Sequence, residues 1–221
     1  MKRLDEIAKS IGTDKSSNIH NYCEKYEKYF PFERWENLKI LEIGVLGGDS
    51  IKTWKEYYPN STVIGIDINP DCIKYQDIEN NIFVEIGSQD DPDFLKSIVE
   101  KWGPFDMILD DGSHMNNHVI FSFIQLIDSV KPIGIYVVED SCTSYWPEYG
   151  GAFRSPGTMM EFFKDMTDDV NFRGQLQEYF WYEHARREDF LIQQTLQKDL
   201  MIRTDIESIN FLNGIIIITK R

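Results

Sequence analysis

Short, nearly continuous apolar runs recur through the middle of this sequence, separated by stretches in which apolar residues have helical spacing. The runs are rich in Ile, Val and Leu and cover residues 38–43, 62–67, 82–86, 105–110 and 133–138. Such runs predict strands that are buried on both faces, as in parallel sheets. The stretches between them predict helices over residues 49–58, about 70–78, 92–101 and 115–130. Strands that alternate with helices indicate a doubly wound α/β sheet.

The pattern changes near residue 200. Two further apolar segments, residues 206–211 and 214–219, flank the dipeptide Asn213-Gly214, which is a strong signal for a β-hairpin. An antiparallel hairpin at the edge of the parallel strands gives a mostly parallel sheet of seven strands. We therefore expect a Rossmann-like sheet with a C-terminal antiparallel hairpin.

The remaining segments predict helices and an irregular insert. Residues 2–10 and roughly 19–30 predict two helices that form an N-terminal helical extension over residues 1–37, ahead of a main domain over residues 38–221. Residues 141–200 are the least regular part, with helices predicted at 156–169 and 188–200. We interpret this region as a substrate-facing insert rather than a separate domain.

Charge and cysteine content narrow the class of partner and the compartment. The chain has 221 residues and a net charge of −14, from 37 acidic and 23 basic residues. This balance disfavours binding to nucleic acid or to an anionic membrane, since both need a positive surface. No apolar run has the length of a membrane span, and the N-terminus lacks the apolar stretch of a signal peptide. Cys23, Cys72 and Cys142 are odd in number and widely spaced, which favours a reducing cytoplasm.

A glycine-rich turn follows the first predicted strand. Its spacing, Gly44-x-x-Gly47-Gly48, lets the backbone approach a ligand closely but lacks the GxGxxG fingerprint of dinucleotide sites. Glu42, just before the turn, suits a cationic ligand better than a diphosphate. The turn therefore predicts a site for a positively charged cofactor.

The next two strands end in residues that suit a nucleoside. Asp67 ends the second strand and can accept both hydroxyls of a ribose. Ser88 and Gln89 follow the third strand and suit an adenine edge. In this order on successive strands, these residues favour S-adenosylmethionine over a nicotinamide cofactor.

Paired carboxylates end the fourth and fifth strands. Asp110 and Asp111 follow one apolar run, and Glu139 and Asp140 follow the other. The carboxyl ends of parallel strands open into one crevice, so these acids would repel one another without a hard cation among them. All-oxygen ligands suit Mg²⁺ or Mn²⁺. His114, three residues beyond Asp111, is then a candidate proton acceptor.

One alternative involves a different metal. His114 and His118 are spaced i, i+4, which is compatible with an HxxxH zinc site. The pair lacks a convincing third ligand, whereas His114 has four carboxylates on adjoining strands. We expect His118 to be an ordinary helix residue.

Several motifs together resemble one family. They are Gly12-Thr-Asp-Lys15, Leu41-Glu-Ile-Gly44 with Gly47-Gly48, Gly65-Ile-Asp67, Asp110-Asp-Gly-Ser-His114 and Glu139-Asp140 with Thr143-Ser-Tyr-Trp-Pro-Glu-Tyr-Gly-Gly151. The chain resembles the metal-dependent sugar O-methyltransferases of macrolide and tetracenomycin-type antibiotic biosynthesis, within the class I S-adenosylmethionine-dependent superfamily. The resemblance covers residues 12–151 well and residues 152–205 only loosely.

The resemblance implies roles for individual residues. It makes Asp111, Glu139 and Asp140 the Mg²⁺ ligands and His114 the base, with Asp110 facing the cofactor instead. The residues themselves suggest two further contacts: Lys15 on the cofactor's carboxylate or in a lid, and the acceptor on Tyr145, Trp146 and Tyr149, with a sugar ring stacked on the last two. Aromatic residues in a loop also often only pin that loop to the core, which is the alternative for these three. A polar turn between helices is an equally good interpretation of the segment around Lys15.

The expected function is methyl transfer from S-adenosylmethionine to a hydroxyl of a sugar-like or other polyhydroxylated small molecule. Two alternatives stay open: a hydroxylase-like or nicotinamide-dependent oxidoreductase on the same fold, and a non-catalytic binding module. The sequence does not identify the acceptor. A homo-oligomer is also open, since the aromatic segment 179–182 could serve an interface or the core.

Overall fold

One seven-stranded sheet forms the centre of the computed structural model, which describes residues 2–171, 203 and 205–221. The strands are β1 (Lys39–Ile43), β2 (Thr62–Asp67), β3 (Ile82–Ile86), β4 (Phe105–Asp110), β5 (Val130–Val138), β6 (Ile206–Leu212) and β7 (Ile215–Lys220). The helices are α1 (Leu4–Ile11), α2 (Cys23–Tyr29), α3 (Asp49–Tyr57), α4 (Pro92–Trp102), α5 (Asn116–Leu126) and α6 (Met159–Asp165).

The strand order is β3-β2-β1-β4-β5-β7-β6. Strands β1 to β5 are parallel, and β7 runs antiparallel to both β5 and β6. The doubly wound sheet and its C-terminal hairpin are therefore confirmed. Because β1 pairs with both β2 and β4, the strand order reverses there, and ligands bind at such a switch point beyond the carboxyl ends of the strands.

Individual elements differ from the sequence predictions at their ends. Helix α2 begins at Cys23 rather than at residue 19, and Asn21 just before it has a left-handed backbone (φ 54°). Strand β5 begins at Val130, three residues early, and the stretch predicted as a helix near 70–78 forms short 3₁₀ turns instead. The predicted helix at 188–200, the aromatic segment 179–182 and much of the predicted insert lie outside the described residues.

Two hydrophobic layers cover the sheet, one on each face. The first contains Ile40 and Leu109 with side chains of α1, α2 and α3, including Leu4, Tyr26 and Trp54. The N-terminal helices thus pack directly on the sheet. Along the described residues, no helix is both long enough and apolar enough to cross a membrane.

The second layer contains side chains of α4, α5 and α6. Ile108 and Tyr136 face it from the sheet, and Phe123 and Phe163 face it from the helices. Successive strand residues point to opposite faces, so the position of a residue along its strand decides which of the two layers its side chain faces. The same alternation decides to which face the acidic residues at the strand ends point.

Candidate active site

A cavity of about 580 Å³ lies beyond the carboxyl ends of β1, β2 and β4. The turn after β1 forms one wall, and Gly44 in it has φ +94°. A Cβ atom on Gly44 would overlap the backbone carbonyl of Asp111, so only glycine allows the two strand ends to approach this closely. Eight of the predicted site residues line the cavity: Lys15, Gly44, Asp67, Ser88, Gln89, Asp111, His114 and Asp140.

Asp67 holds the glycine-rich turn in place. Its Oδ2 accepts hydrogen bonds from the backbone N–H groups of Val45 (2.8 Å) and Leu46 (3.0 Å), and its Oδ1 accepts one from Asn69 (2.8 Å). Burial alone would raise the pKa of Asp67, but these N–H groups bring it below its ordinary value. The carboxylate predicted to bind ribose therefore also fixes the wall of the cavity.

Gln89 fastens the segment that carries His114. Its Nε2 donates to Asp110 Oδ1 (3.1 Å) and to Ser122 Oγ (2.9 Å). Its Oε1 accepts from the backbone N–H of Ser113 (2.6 Å). The side chain of Gln89 is buried, and both its amide nitrogen and its amide oxygen form hydrogen bonds. The sequence did not predict this structural role.

Asp110, which was predicted to face the cofactor, does not line the cavity. Asp110 has the strand parity of Ile108 and points into the second hydrophobic layer, where the Tyr136 hydroxyl donates to its Oδ2 (3.0 Å). Burial raises the pKa of Asp110 to about 7, against the effect of the hydrogen bonds from Tyr136 and Gln89. Its connection to the cavity is indirect, through Gln89, which donates to Asp110 and lines the cavity.

An acidic group, here called the inner acidic group, lies on the opposite face of the sheet from Asp110. Glu42, Asp111 and Glu139 converge there around the ammonium group of Lys15. Lys15 Nζ contacts Asp111 Oδ2 directly and lies 2.7 Å from Glu139 Oε2 and 3.6 Å from Glu42 Oε1. Lys15, Glu42 and Glu139 are almost completely buried. Lys15 was predicted to bind the cofactor or to close the site, but its partners here are acids of this group.

One lysine does not balance three carboxylates. Burial raises the pKa of Glu42 to about 7, and burial and the charge of Asp111 hold the pKa of Glu139 well above its ordinary value. Burial alone would lower the pKa of Lys15, but the three carboxylates hold it well above its ordinary value. Across the described residues, both oxygens of Glu42 and Oε1 of Glu139 are buried without a hydrogen-bond partner. Such orphaned oxygens fit a site that takes a further cation.

The outer acidic group contains the candidate base. Asp111, His114 and Asp140 bring ligand atoms together, and His114 Nε2 lies 3.6 Å from Asp140 Oδ2. The hydroxyl of Tyr22 donates to Asp140 Oδ1 at 2.6 Å. His114 (φ 57°) and Asp140 (φ 48°) both have left-handed backbones, an uncommon conformation for residues other than glycine.

The three predicted metal ligands do not form a single group here. Within the described residues, Asp111 is shared between the two acidic groups, while Glu139 belongs to the inner one and Asp140 to the outer one. Lys15 occupies the space between Asp111 and Glu139, and the left-handed turn at Asp140 directs consecutive side chains to different groups. Glu42, which was predicted to contact the cofactor, joins the inner group instead. Gly48 caps α3 and does not line the cavity either.

His118 stays outside both acidic groups. Its Nδ1 lies 3.0 Å from Ser113 Oγ and its Nε2 lies 3.4 Å from Asp90 Oδ2, at the edge of the cavity. Among the residues that the structure describes, it joins no group able to hold a metal. The HxxxH zinc alternative is therefore not supported.

The three predicted aromatic residues belong to one loop outside the cavity lining, and Tyr149 of this loop lies beside the base. The rings of Tyr149 and His114 are 6.3 Å apart, and those of Trp146 and Tyr149 are 5.9 Å apart. Tyr145 and Trp146 are exposed. Asn116 fixes this loop, because its Nδ2 donates to the carbonyl oxygens of Thr143 (3.3 Å) and Tyr149 (2.9 Å).

Sequence reasoning missed Tyr22 and Asn116. Tyr22 reaches Asp140 across 118 residues of chain, so no local pattern marks it. Asn116 begins α5, where an Asn is unremarkable, and only the folded loop reveals its partners. The Asp110–His114 motif gave the one available hint, since Asn116 lies two residues beyond it.

Comparison with known proteins places this arrangement in context. No protein-family model matches the chain. The L-olivosyl-oleandolide 3-O-methyltransferase of Streptomyces antibioticus is 36% identical over 180 residues, which are 76% of this chain and 46% of that protein. The mycinamicin VI 2''-O-methyltransferase of Micromonospora griseorubida is 34% identical over 181 residues, with 76% and 44% covered. The chain is a homologue of these sugar O-methyltransferases.

A solved structure extends the homology with the sugar O-methyltransferases to the whole fold. The MycE methyltransferase of the mycinamycin biosynthetic pathway, in complex with Mg, S-adenosylhomocysteine (SAH) and mycinamycin VI, matches with a TM-score of 0.79 at 27% identity. The match covers 100% of this chain and 55% of that chain. The chain thus spans about half the length of the sugar O-methyltransferases that it matches.

Proposed function

We propose that this chain is an Mg²⁺-dependent O-methyltransferase that moves a methyl group from S-adenosylmethionine to a hydroxyl of a sugar-like acceptor. One observation carries the proposal: carboxylates of β4 and β5 converge with His114 at one end of a cavity whose other walls are the glycine-rich turn and Asp67. Homology to sugar O-methyltransferases supports it independently.

The cavity fits S-adenosylmethionine. Its volume suits a nucleoside ligand with a short side chain, and acidic groups suit the positive sulfonium and ammonium of that cofactor. Asp67 and Ser88 both line the cavity, and we expect Asp67 to accept the ribose hydroxyls and Ser88 to contact the adenine. Binding of the ribose would draw Asp67 partly away from the turn that it now holds.

The acidic groups fit Mg²⁺. The donors are all oxygen, and Asp111, Glu139 and Asp140 would hold the ion, with Asp111 bridging the two groups. When bound, Mg²⁺ supplies Lewis-acid polarisation of an acceptor hydroxyl and so lowers its pKa. Mn²⁺ has similar ligand preferences and would serve in its place.

His114 acts as the general base. It accepts the proton of the acceptor hydroxyl at Nε2, and the nearby Asp140 carboxylate stabilises the imidazolium that results. Loss of that proton lets the acceptor oxygen attack the methyl carbon in line as the carbon–sulfur bond breaks. The products are the methyl ether and SAH.

The aromatic loop orients the acceptor. Trp146 is exposed beside Tyr149, which lies next to His114, so a sugar ring stacked there would present a hydroxyl to the base. We expect Tyr145, which is exposed in the same loop, to contact the acceptor as well. Asn116 keeps the loop in position. We propose that the acceptor is a glycosylated small molecule such as a natural product or a surface-glycan precursor.

The proposed compartment is the cytoplasm. All three cysteines are free thiols, and two of them are buried. Unpaired cysteines are typical of reducing compartments.

Calorimetric titration with SAH and with NAD tests the cofactor, and turnover in EDTA tests the metal. We expect SAH to bind and NAD not to bind, and we expect EDTA to abolish methylation of a glycoside panel until Mg²⁺ or Mn²⁺ is added. Binding of NAD alone would favour the oxidoreductase alternative. Full turnover in EDTA would remove the metal from the proposal.

Replacing the base separates chemistry from binding. His114→Ala should lower kcat by about 10²–10⁴-fold, because proton transfer by a positioned group contributes this much. SAH affinity, measured on the same preparation, should stay unchanged and serves as the control for folding. Normal turnover by the variant would reject His114 as the base.

A further inference from the structure

Lys15 occupies a position that the proposed reaction does not explain. Its ammonium group lies among the carboxylates of the inner acidic group and contacts two of the proposed Mg²⁺ ligands, Asp111 and Glu139. The inference below rests on the proposed metal site. It concerns what fills that site before the ion arrives.

The main chain of Lys15 is firmly held. Its carbonyl oxygen accepts hydrogen bonds from the N–H groups of Tyr22 (2.9 Å) and Cys23 (3.1 Å), where the chain enters α2. The side chain reaches from this anchor to carboxylates 96 and 124 residues later in the chain. The ammonium group can therefore change partners through side-chain rotation while the backbone stays in place.

The ammonium group of Lys15 and a divalent cation cannot both lie close to Asp111 and Glu139 at low energy. Two positive ions within a few ångströms repel strongly where water is excluded, and Lys15 is only 2% exposed. Glu139 is equally buried, so its carboxylate needs one cation or the other. Asp111, the residue common to both acidic groups, is the point where the two cations compete.

We propose that Lys15 is an internal placeholder cation, which neutralises Asp111 and Glu139 in the metal-free protein and leaves Asp111 when Mg²⁺ binds. Lys15 also lines the cofactor cavity with its neighbours Thr13 and Asp14, so the displaced ammonium has open space on that side. Metal binding thereby delivers a positive charge to the cavity. A carboxylate-bearing cofactor would find that charge in place only after the metal has bound.

Titration calorimetry with Mg²⁺ alone tests the competition. Lys15→Met removes the charge and keeps most of the side-chain length, so we expect it to bind Mg²⁺ at least about tenfold more tightly than the unchanged protein near pH 8. Lys96→Met is the matched control, since Lys96 is exposed on α4 and pairs only with Glu100 among the described residues. The control should bind Mg²⁺ like the unchanged protein.

Thermal unfolding of the same three proteins gives a second measurement. In EDTA, Lys15→Met should unfold at a lower temperature than the unchanged protein, because its buried acids have lost their counter-charge. Mg²⁺ should then raise its unfolding temperature by more than it raises that of the unchanged protein. Equal shifts in both proteins would contradict a placeholder role.

Amine labelling of the unchanged protein does not depend on any variant folding. Without cofactor, the Lys15 amine should react slowly with an acylating reagent in EDTA and several-fold faster in saturating Mg²⁺, as read by peptide mass spectrometry. Lys96 supplies the internal reference rate. Labelling of Lys15 that Mg²⁺ leaves unchanged or slows would overturn the exchange.

The outcomes separate the two proposals. If both proteins bind Mg²⁺ with equal affinity, the metal site stands and the exchange falls. If neither protein binds Mg²⁺ or Mn²⁺, the metal site itself falls and the exchange falls with it. Binding to Lys15→Met alone would support the exchange in its strongest form.

Discussion

The carboxylate of Asp67 shows how one side chain can serve both the fold and the ligand. Three backbone N–H groups of its own loop and of the glycine-rich turn hold it where a ribose would bind. The same bonds keep its pKa below the ordinary value, although burial opposes them. The charge of Asp67 therefore contributes to stability in addition to its proposed role in binding the ribose.

Asp67→Asn should lower the free energy of unfolding by about 2 kcal/mol near neutral pH, since hydrogen bonds to a charged group are the stronger ones. The folded-state pKa lies below the unfolded one, so this contribution is present above about pH 4 and is lost as the pH falls through the folded value. Urea unfolding of both proteins from neutral to acid pH should show the difference shrinking in acid. Asp71→Asn, at an exposed residue of the same loop, should show no such trend.

At the residue scale, the sequence located the site acids, but the strand pattern could not determine their directions, which were assigned from the resemblance alone. Strand β4 is buried on both faces, so its residues are apolar on both sides and alternation carries no signal about which aspartate points where. Asp110 and Asp111 could be told apart only by the layers packed against them. The position of Lys15 likewise depends on partners about a hundred residues away, which no local pattern encodes.

The C-terminal hairpin contacts Tyr22, a residue of the N-terminal segment that bonds to the outer acidic group. Gly214 in the turn between β6 and β7 has φ +81°, and the Tyr22 hydroxyl that bonds to Asp140 lies 3.3 Å from its carbonyl oxygen. A Cβ atom at Gly214 would come within 2.5 Å of that hydroxyl oxygen. The hairpin that completes the sheet thus also positions a tyrosine against a proposed metal ligand.

Gly214→Ala and Gly157→Ala form a matched pair for this contact. Gly157 has a similar φ of +87° but open space around a Cβ, so its variant should lose only the backbone cost of about 1–2 kcal/mol. Gly214→Ala should lose roughly 1–2 kcal/mol more, because Tyr22 must move. Urea unfolding in a Tyr22→Phe background should show a smaller gap between the two variants, and an unchanged gap would mean that the hydroxyl is not the obstacle.

Element types were largely predictable and element ends were not. The five parallel strands and the hairpin appeared in the sequence as apolar runs with turn signals, because burial of both faces dictates them. The start of α2 was misjudged because residues 19–22 have suitable side chains for a helix, yet their backbone is used to bond Lys15 and Ser16. Turn hydrogen bonds to residues 14–16 thus replaced the first helical turn there.

For the whole molecule, the N-terminal segment and the sheet share one hydrophobic layer. Tyr26 of α2 is fully buried, stacks against Phe30 and meets the ring of Trp54 edge-on. Leu4 and Ala8 of α1 lie in the same cluster as Ile40 of β1. We propose that residues 1–37 unfold together with the sheet and do not behave as a separate unit.

Tyr26→Ala tests this at the scale of the whole fold. Loss of a large buried aromatic should cost about 3–5 kcal/mol. The variant should still unfold in a single transition, seen alike by far-ultraviolet circular dichroism and by tryptophan fluorescence. Lys28→Ala, at an exposed residue of the same helix, should be close to neutral, and two separate transitions in either protein would indicate an independent N-terminal unit.

The backbone at His114 and Asp140 has a consequence for how this protein can change. Both residues have a left-handed backbone that glycine would adopt with less strain. The folded protein is therefore less stable than it would be with glycine at either position. Selection for stability would favour glycine at either position, and only selection for the histidine ring and the carboxylate opposes it. Replacement of either residue by glycine should therefore raise the thermal stability while it removes a side chain of the proposed active site.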